Sequence, residues 1–276
     1  TPLWLDEALS VDIASAPLAD IGGLLRHDGH PPLYYYALHV WIELFGTGAF
    51  AVRALSGLVG LGVLAMVFVV GRRHGGPRLA RAAVALVAVS PFAIRYSSEA
   101  RMYELVTLLV LVGWWLVDRT LDVLDAGGRP ARGALVGLWL LSGALLLTHY
   151  WAIFLLGAVG LVLVVAAWRA RGPRRRGLVE VTVAVALGGL WFVPWLPAFA
   201  YQSAHTGTPW APASRPTRLV SESLIDWSGG IDPEALLGLC VLVVLLVLGL
   251  LGEVRDGRLT LGRPTGGWQR RAAIVV

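Results

Sequence analysis

Long apolar runs, free of ionisable side chains, alternate along the chain with short polar connectors. Seven such runs are evident, at residues 54–70, 82–94, 105–117, 134–148, 151–167, 181–196 and 235–252. A helix crossing the hydrocarbon core of a bilayer needs about 20 predominantly apolar residues. The runs at 82–94 and 105–117 must therefore borrow flanking residues or lie tilted. Glycines scattered through the runs (Gly57, Gly60, Gly62, Gly157, Gly160, Gly188, Gly189) permit close helix contacts where lipid offers no hydrophobic drive. Pro91 and Pro194 fall near run ends, where freed backbone groups are easier to satisfy. The pattern predicts an all-α, polytopic membrane protein with about seven transmembrane helices in this chain.

Residues 1–49 carry a different pattern. Leu5, Leu9 and Ile13 recur every four residues while Asp6, Ser10 and Asp12 fall elsewhere, as in a helix lying on a membrane surface. A second helix is predicted through Leu33, Tyr34, Tyr35, Tyr36, Leu38, Trp41, Leu44 and Phe45, stopped by Gly46 and Gly48. Between them, Arg26 to Pro32 form a polar turn stiffened by two prolines. The expected division is an outer-face region over 1–49 and a transmembrane helical domain over 50–276. A helix is expected before Thr1, and Ala272 to Val276 read as the beginning of a further span.

Composition sharpens the membrane reading. The chain is 57% hydrophobic and 15% charged, with a mean hydropathy of +0.69, whereas soluble domains are about half apolar and roughly a quarter charged. Twelve tryptophans suit the headgroup boundary. A net charge of +5 would suggest nucleic acid in a soluble protein. Here the basic residues, all arginine, concentrate in alternate loops, so sidedness explains them and no nucleic-acid partner is expected. Arg72, Arg73, Arg78 and Arg81 share one loop, Arg119, Arg129 and Arg132 the next, then Arg169 to Arg176, then Arg255 to Arg271. The positive-inside rule makes these loops cytoplasmic. The intervening loops hold most of the acids and face outward, as does the 1–49 region. Cys240 is the only cysteine, which excludes a disulfide framework and a cysteine metal site.

Candidate chemistry lies in the outward loops. Asp6 and Glu7 are either first-turn acids meeting a helix dipole or a carboxylate base at the membrane surface. His30-Pro31-Pro32 reads by default as a turn, and Arg26 with Asp28 as a solvated ion pair. The short loop from Arg95 to Glu104 places two arginines on the side where arginine is scarce, beside Glu99 and Tyr103. Arg95 and Arg101 either snorkel and pair with Glu99 or Glu104, or present guanidinium groups that bind phosphate oxygens bidentately. His149, at the next outward helix end, is less expected there than its aromatic neighbours Tyr150 and Trp151.

The run Leu3-Trp4-Leu5-Asp6-Glu7-Ala8 is followed by His30-Pro31-Pro32-Leu33-Tyr34-Tyr35, Leu44-Phe45-Gly46, Arg53, Ser90-Pro91 and Tyr96 to Tyr103. In order and spacing it resembles the membrane glycosyltransferases of the GT-C fold, in the protein O-mannosyltransferase-like and ArnT-like superfamily (family 39-like). Thr148-His149-Tyr150 is a weaker echo. The resemblance implies an inverting sugar transfer from a polyprenyl-phosphate-linked donor to an acceptor (protein, lipid or glycan) at the non-cytoplasmic face. It makes Asp6 the general base and Glu7 its supporting neighbour. His30, Arg101 and Tyr103 would meet the leaving phosphate, with Arg95, Glu99 and His149 as further substrate-binding candidates. Mannose and aminoarabinose carriers are among the family's donors. No dinucleotide fingerprint is present, as expected for a lipid-borne donor. No cofactor is indicated; the family as a whole does not require a metal, and Asp6, Glu7 and Asp12 are too generic a set to argue for one. The alternative reading, a multi-pass transporter or lipid flippase, expects ionisable groups within the spans, and the seven runs contain none.

Overall fold

The computed structural model describes residues 2–206, 215–228, 233–255 and 258–262. Thr1, the arginines beyond 262 and the expected span beginning at Ala272 lie outside the described residues. Twelve α-helices account for nearly all of the described structure: α1 (Leu5–Ala14), α2 (Leu18–Asp28), α3 (Leu33–Phe45), α4 (Ala49–Ala88), α5 (Pro91–Ser97), α6 (Tyr103–Asp125), α7 (Arg132–Thr148), α8 (Ala152–Arg169), α9 (Gly172–Leu187), α10 (Leu196–His205), α11 (Pro216–Ser228) and α12 (Pro233–Leu251). A 3₁₀ segment over Gly188–Trp195 joins α9 to α10. After α12 comes a small antiparallel pair of strands, β1 (Gly252–Arg255) and β2 (Arg258–Leu261), with Gly252 opposite Leu261, and the fold class is all-α as expected.

Among the described residues, three helical stretches are long and apolar enough to cross a membrane: Ala49–Ala88, Ala152–Arg169 and Gly172–His205. Arg132–Thr148 and Ala235–Leu245 are shorter apolar helices. The first stretch is not straight. Gly75 (φ −147°, ψ 17°) and Gly76 (φ 72°, ψ −173°) leave the helical region just before Pro77, and the chain doubles back there. A Cβ on Gly71 would lie 2.9 Å from the Ala80 Cα, so the two arms touch side by side. The second arm stops at Ala88 rather than running on to residue 94, because Ser90 caps a new helix that starts at Pro91. The run at 181–196 likewise changes form. Gly188, Gly189 and Pro194 disfavour an α-helix over its second half, which winds as 3₁₀.

The surface is strongly apolar. Phe50 and Leu61 on α4 and Phe154, Leu161 and Trp168 on α8 stand exposed. So broad an apolar surface is stable only against lipid or a partner, and the membrane-protein expectation holds. The helices touch through small residues: Gly143 and Gly188 bring α7 and the 3₁₀ segment into contact beside Trp191, and Gly177 admits Leu124. At one end of the bundle, Arg73 bridges Asp118 and Asp122 while Arg174 pairs with Asp125, tying α4 and α9 to α6. At the other end, α1, α2 and α3 pack over α4 and the 98–102 turn around Ile21, Leu25, Tyr35, Leu38, Val52 and Met102.

The first region contains one more helix than its apolar spacing shows. α3 ends at Phe45 with Gly46 at φ 82°, as expected. α2 was not predicted, because Gly22 and Gly23 interrupt its pattern; it closes on Gly29 at φ 91°, the left-handed cap that glycine takes without strain. On α1 the expected stripe divides, with Leu5 and Leu9 turned outward and Ile13 inward. Leu5 is 80% and Leu9 44% exposed, while Glu7 and Ser10 are fully buried beside Ile13. Two polar side chains, Glu7 and Ser10, thus join Val11, Ile13 and Ala14 on the inward side of α1, while Asp12 stays exposed.

Candidate functional site

Glu7 is the most completely partnered side chain in this region. Its Oε1 accepts from Arg53 Nε (2.9 Å) and from the Ala100 N–H (2.9 Å). Its Oε2 accepts from Arg53 Nη2 (2.6 Å) and the Trp4 N–H (3.2 Å). This two-pronged contact is the geometry for which guanidinium and carboxylate are matched. Burial alone would raise the carboxyl above its ordinary 4.5; the hydrogen bonds from Arg53, Ala100 and Trp4 outweigh it and hold the group below that value. One carboxylate thus fastens the start of α1, the first arm of α4 and the 98–102 turn.

Asp6, one residue earlier, is in the opposite state. It is half-buried, and its carboxylate has no hydrogen bond or ion pair among the described residues. Only its backbone carbonyl is engaged, by Ser10 Oγ (2.7 Å) and Arg101 Nη1 (3.4 Å). The Asp6 carboxylate lies near enough to Arg101 to act on its charge.

Arg101 sits at the centre. It is 4% exposed, a depth at which a charged group requires partners. Its Nη1 donates to Ser10 Oγ (3.0 Å) and its Nη2 to His30 Nε2 (3.1 Å). Its Nε–H is buried with no partner among the described residues. The guanidinium carbon lies 6.0 Å from the Tyr103 ring centroid. Arg101 pairs with neither Glu99 nor Glu104.

His30 is held from both sides. Because Arg101 can only donate, His30 Nε2 accepts, and His30 Nδ1 carries the proton to Asp28 Oδ2 (2.8 Å). The same Asp28 oxygen accepts from Tyr35 OH (2.8 Å). Burial pushes the Asp28 carboxyl up, but His30, Tyr35 and Arg101 together bring it below its usual value. Burial, with Asp28 alongside, pushes the Tyr35 phenol well above its usual range, so it remains a donor. The polar turn is therefore an ordered relay from Asp28 through His30 to Arg101. The expected solvated pair of Arg26 with Asp28 is not formed: Arg26 lies over the Tyr201 ring at 4.1 Å, and Asp28 turns inward.

The remaining sequence candidates divide. Tyr103 and His149 join the cluster, with ring centroids 6.1 Å apart. Burial, then the nearness of His30 and Arg101, holds the His149 imidazole below its usual value. Its Nδ1 accepts from the Trp151 N–H (3.2 Å). Arg95 and Glu99 stand apart from the Arg101 cluster. They pair with each other at 3.0 Å along one helical turn, with Arg95 64% exposed, a type of contact that contributes little. Among the described residues no group of three or more His, Cys, Asp or Glu is arranged to hold a metal ion.

Four residues that build this site carry no site role in the sequence reading, where Arg53 and Tyr35 are only parts of the motif run, Asp28 a partner for Arg26 and Ser10 a polar position on the first helix. Arg53, Ser10, Asp28 and Tyr35 are ordinary in their local context, and only their long-range partners give them meaning. Arg53 is one helical turn into α4, 46 residues from Glu7. Nothing in periodicity joins them.

A group of arginine, imidazole and phenol beside an unpartnered carboxylate suits a reaction in which a phosphate leaves as a hydroxyl is deprotonated. No curated protein and no solved structure matches the chain. A family model does, that of the dolichyl-phosphate-mannose-protein mannosyltransferases, over residues 29–197. The matched segment holds His30, Arg101, Tyr103 and His149, and begins after α1. With most of its helical bundle inside that match, the chain belongs to the dolichyl-phosphate-mannose-protein mannosyltransferase family, membrane glycosyltransferases of the GT-C type.

Proposed function

We propose that this protein transfers a sugar, mannose being the leading candidate, from a polyprenyl-phosphate-linked donor to an acceptor hydroxyl at the non-cytoplasmic face of the cell membrane, with inversion. In this reading Asp6 is the general base. It removes the proton from the acceptor hydroxyl as that oxygen attacks the anomeric carbon. The bond from that carbon to the phosphate oxygen breaks, and the lipid phosphate leaves with both bonding electrons. Arg101 receives the charge that develops on the phosphate. Its buried Nε–H and the neighbouring Tyr103 and His149 supply donors beside it. His30 and Asp28 hold the guanidinium from behind, and Glu7 with Arg53 fixes the helix that carries Asp6.

The observation that carries this reading is the contrast between two adjacent acids. Glu7 has four donors and is held ionised, whereas Asp6 has none among the described residues and stands beside a buried arginine. A helix-end acid would need no such separation of roles. The loop alternation supports about seven spans, with the 1–49 region outside and the Arg73 and Arg174 ion pairs at the cytoplasmic end. The deciding experiment is transfer of radiolabelled mannose from a synthetic polyprenyl-phosphate donor by membranes containing the full-length protein. Glycan mass spectrometry of cells lacking the gene identifies the acceptor. Membranes that translocate the lipid-linked sugar without transferring it would replace the transferase by a flippase.

A further inference from the structure

Gln202 lies on α10, beyond the family-matched segment, and is 1% exposed. Its Nε2 donates to the carbonyls of Leu25 (2.7 Å) and His30 (3.3 Å), residues more than 170 positions away in sequence. Its Oε1 accepts from Tyr150 OH, and that hydroxyl accepts from Trp195 Nε1 (2.9 Å). The directions are settled by chemistry. An indole N–H only donates, so the one phenolic proton goes to Gln202 Oε1 and both amide protons go to the two carbonyls. No flip of the amide satisfies the same partners.

The two ends of this chain of hydrogen bonds matter. One end is the backbone of His30, whose ring supports Arg101. Pro31 and Pro32 bring no N–H to that turn, so its carbonyls must find donors elsewhere. The other end is Tyr150, next to His149, whose ring faces Tyr103. We infer that Gln202 is a positioning residue that fastens the His30 turn to the His149 loop, and so sets how Arg101 is presented to the donor phosphate. This rests on the function proposed above. It also extends the site to Gln202, which neither the motifs nor the family match includes.

Gln202→Glu keeps shape and chain length but cannot donate to both carbonyls. In the full-length protein it raises the apparent KM for mannosyl-phosphoryl-polyprenol about tenfold or more, the equivalent of losing one buried hydrogen-bond donor, about 1.4 kcal/mol per tenfold. The acceptor KM changes little. Tyr150→Phe, which keeps the amide donors, has a smaller effect on the donor KM. A second measurement needs no activity: modification by diethyl pyrocarbonate, mapped by mass spectrometry. In Gln202→Glu the His30 ring reacts several-fold faster, whereas His39, held by the Ala14 carbonyl at 2.8 Å, does not change. If the wild-type protein transfers no sugar, the function above fails and the His30 rate alone decides this inference. Unchanged His30 reactivity, equal acceleration at His39, or a Gln202→Glu enzyme with wild-type donor KM overturns it.

Discussion

Replacing Asp6 and Glu7 separately by their amides should give opposite results. Asp6→Asn removes a carboxylate that has no hydrogen-bond partner among the described residues, so its stability cost is limited to the helix-dipole and Arg101 attraction, about 0.3–1 kcal/mol. It removes basicity, and transfer should fall by on the order of a hundredfold or more. Glu7→Gln puts an NH₂ where one oxygen accepted from two donors, facing either Arg53 Nη2 and Trp4 N–H or Arg53 Nε and Ala100 N–H. Breaking a fully buried ion pair costs about 3–5 kcal/mol; because Arg53 is 22% exposed, the lower end applies, about 3 kcal/mol. For a chain of this size that lowers Tm by about 6–12 °C. Its pH signature has a definite sign. A carboxyl held below its ordinary 4.5 when folded binds its proton more readily unfolded, so its stabilisation is complete above that value and lost as pH falls below it. Glu7→Gln should lack that acid-side loss. The assay is tryptophan-fluorescence melting of purified full-length protein in nanodiscs at pH 7.5 and at several values below 4.5, run beside mannose transfer. Full turnover by a well-folded Asp6→Asn enzyme, or melting losses equal in the two variants, refutes the division of roles.

Three further outcomes follow from the same geometry. Arg101→Ala should raise the donor KM strongly, and Arg101→Lys should recover only part, since lysine offers a point charge and not a fork; donor kinetics unchanged in both variants would return Arg101 to a structural role. With Cys240 replaced, single cysteines at positions 20 and 215 should react with an impermeant thiol reagent from outside intact cells and one at 174 should not; reaction at 174 would invert the topology. Gly188→Ala should destabilise by about 1–3 kcal/mol, because the new methyl runs into Ser142 Cβ and meets the Trp139 carbonyl oxygen at 2.9 Å, whereas Gly189→Ala, with nothing within 4 Å among the described residues, should be neutral.

The sequence by itself determined the class of protein and the punctuation of its helices. Apolar runs at 134–148 and 151–167 became α7 and α8 nearly to the residue, and Gly46 and Gly48 ended α3 where expected. These are local properties: a hydrophobic run, a missing N–H or a positive φ acts within a turn or two of its own position. Asp6, Glu7, His30, Arg101, Tyr103 and His149 were legible as candidates because motif order is also read along the chain. Tertiary structure alone decided which acid is free. Residues 6 and 7 point roughly 100° apart on a helix, so packing α1 against α2 and α3, within reach of Arg53 on α4, buries one and leaves its neighbour half-open. It decided equally that Leu5 and Leu9 face outward, that Asp28 turns to His30 rather than Arg26, and that Arg95 and Glu99 stay outside the cluster. The pairs that build the site, Glu7 with Arg53, Arg101 with His30 and Gln202 with Leu25, are separated by 46, 71 and 177 residues. Contacts at such separations leave no periodicity in one chain; they exist only once the helices have docked and buried polar groups must find partners.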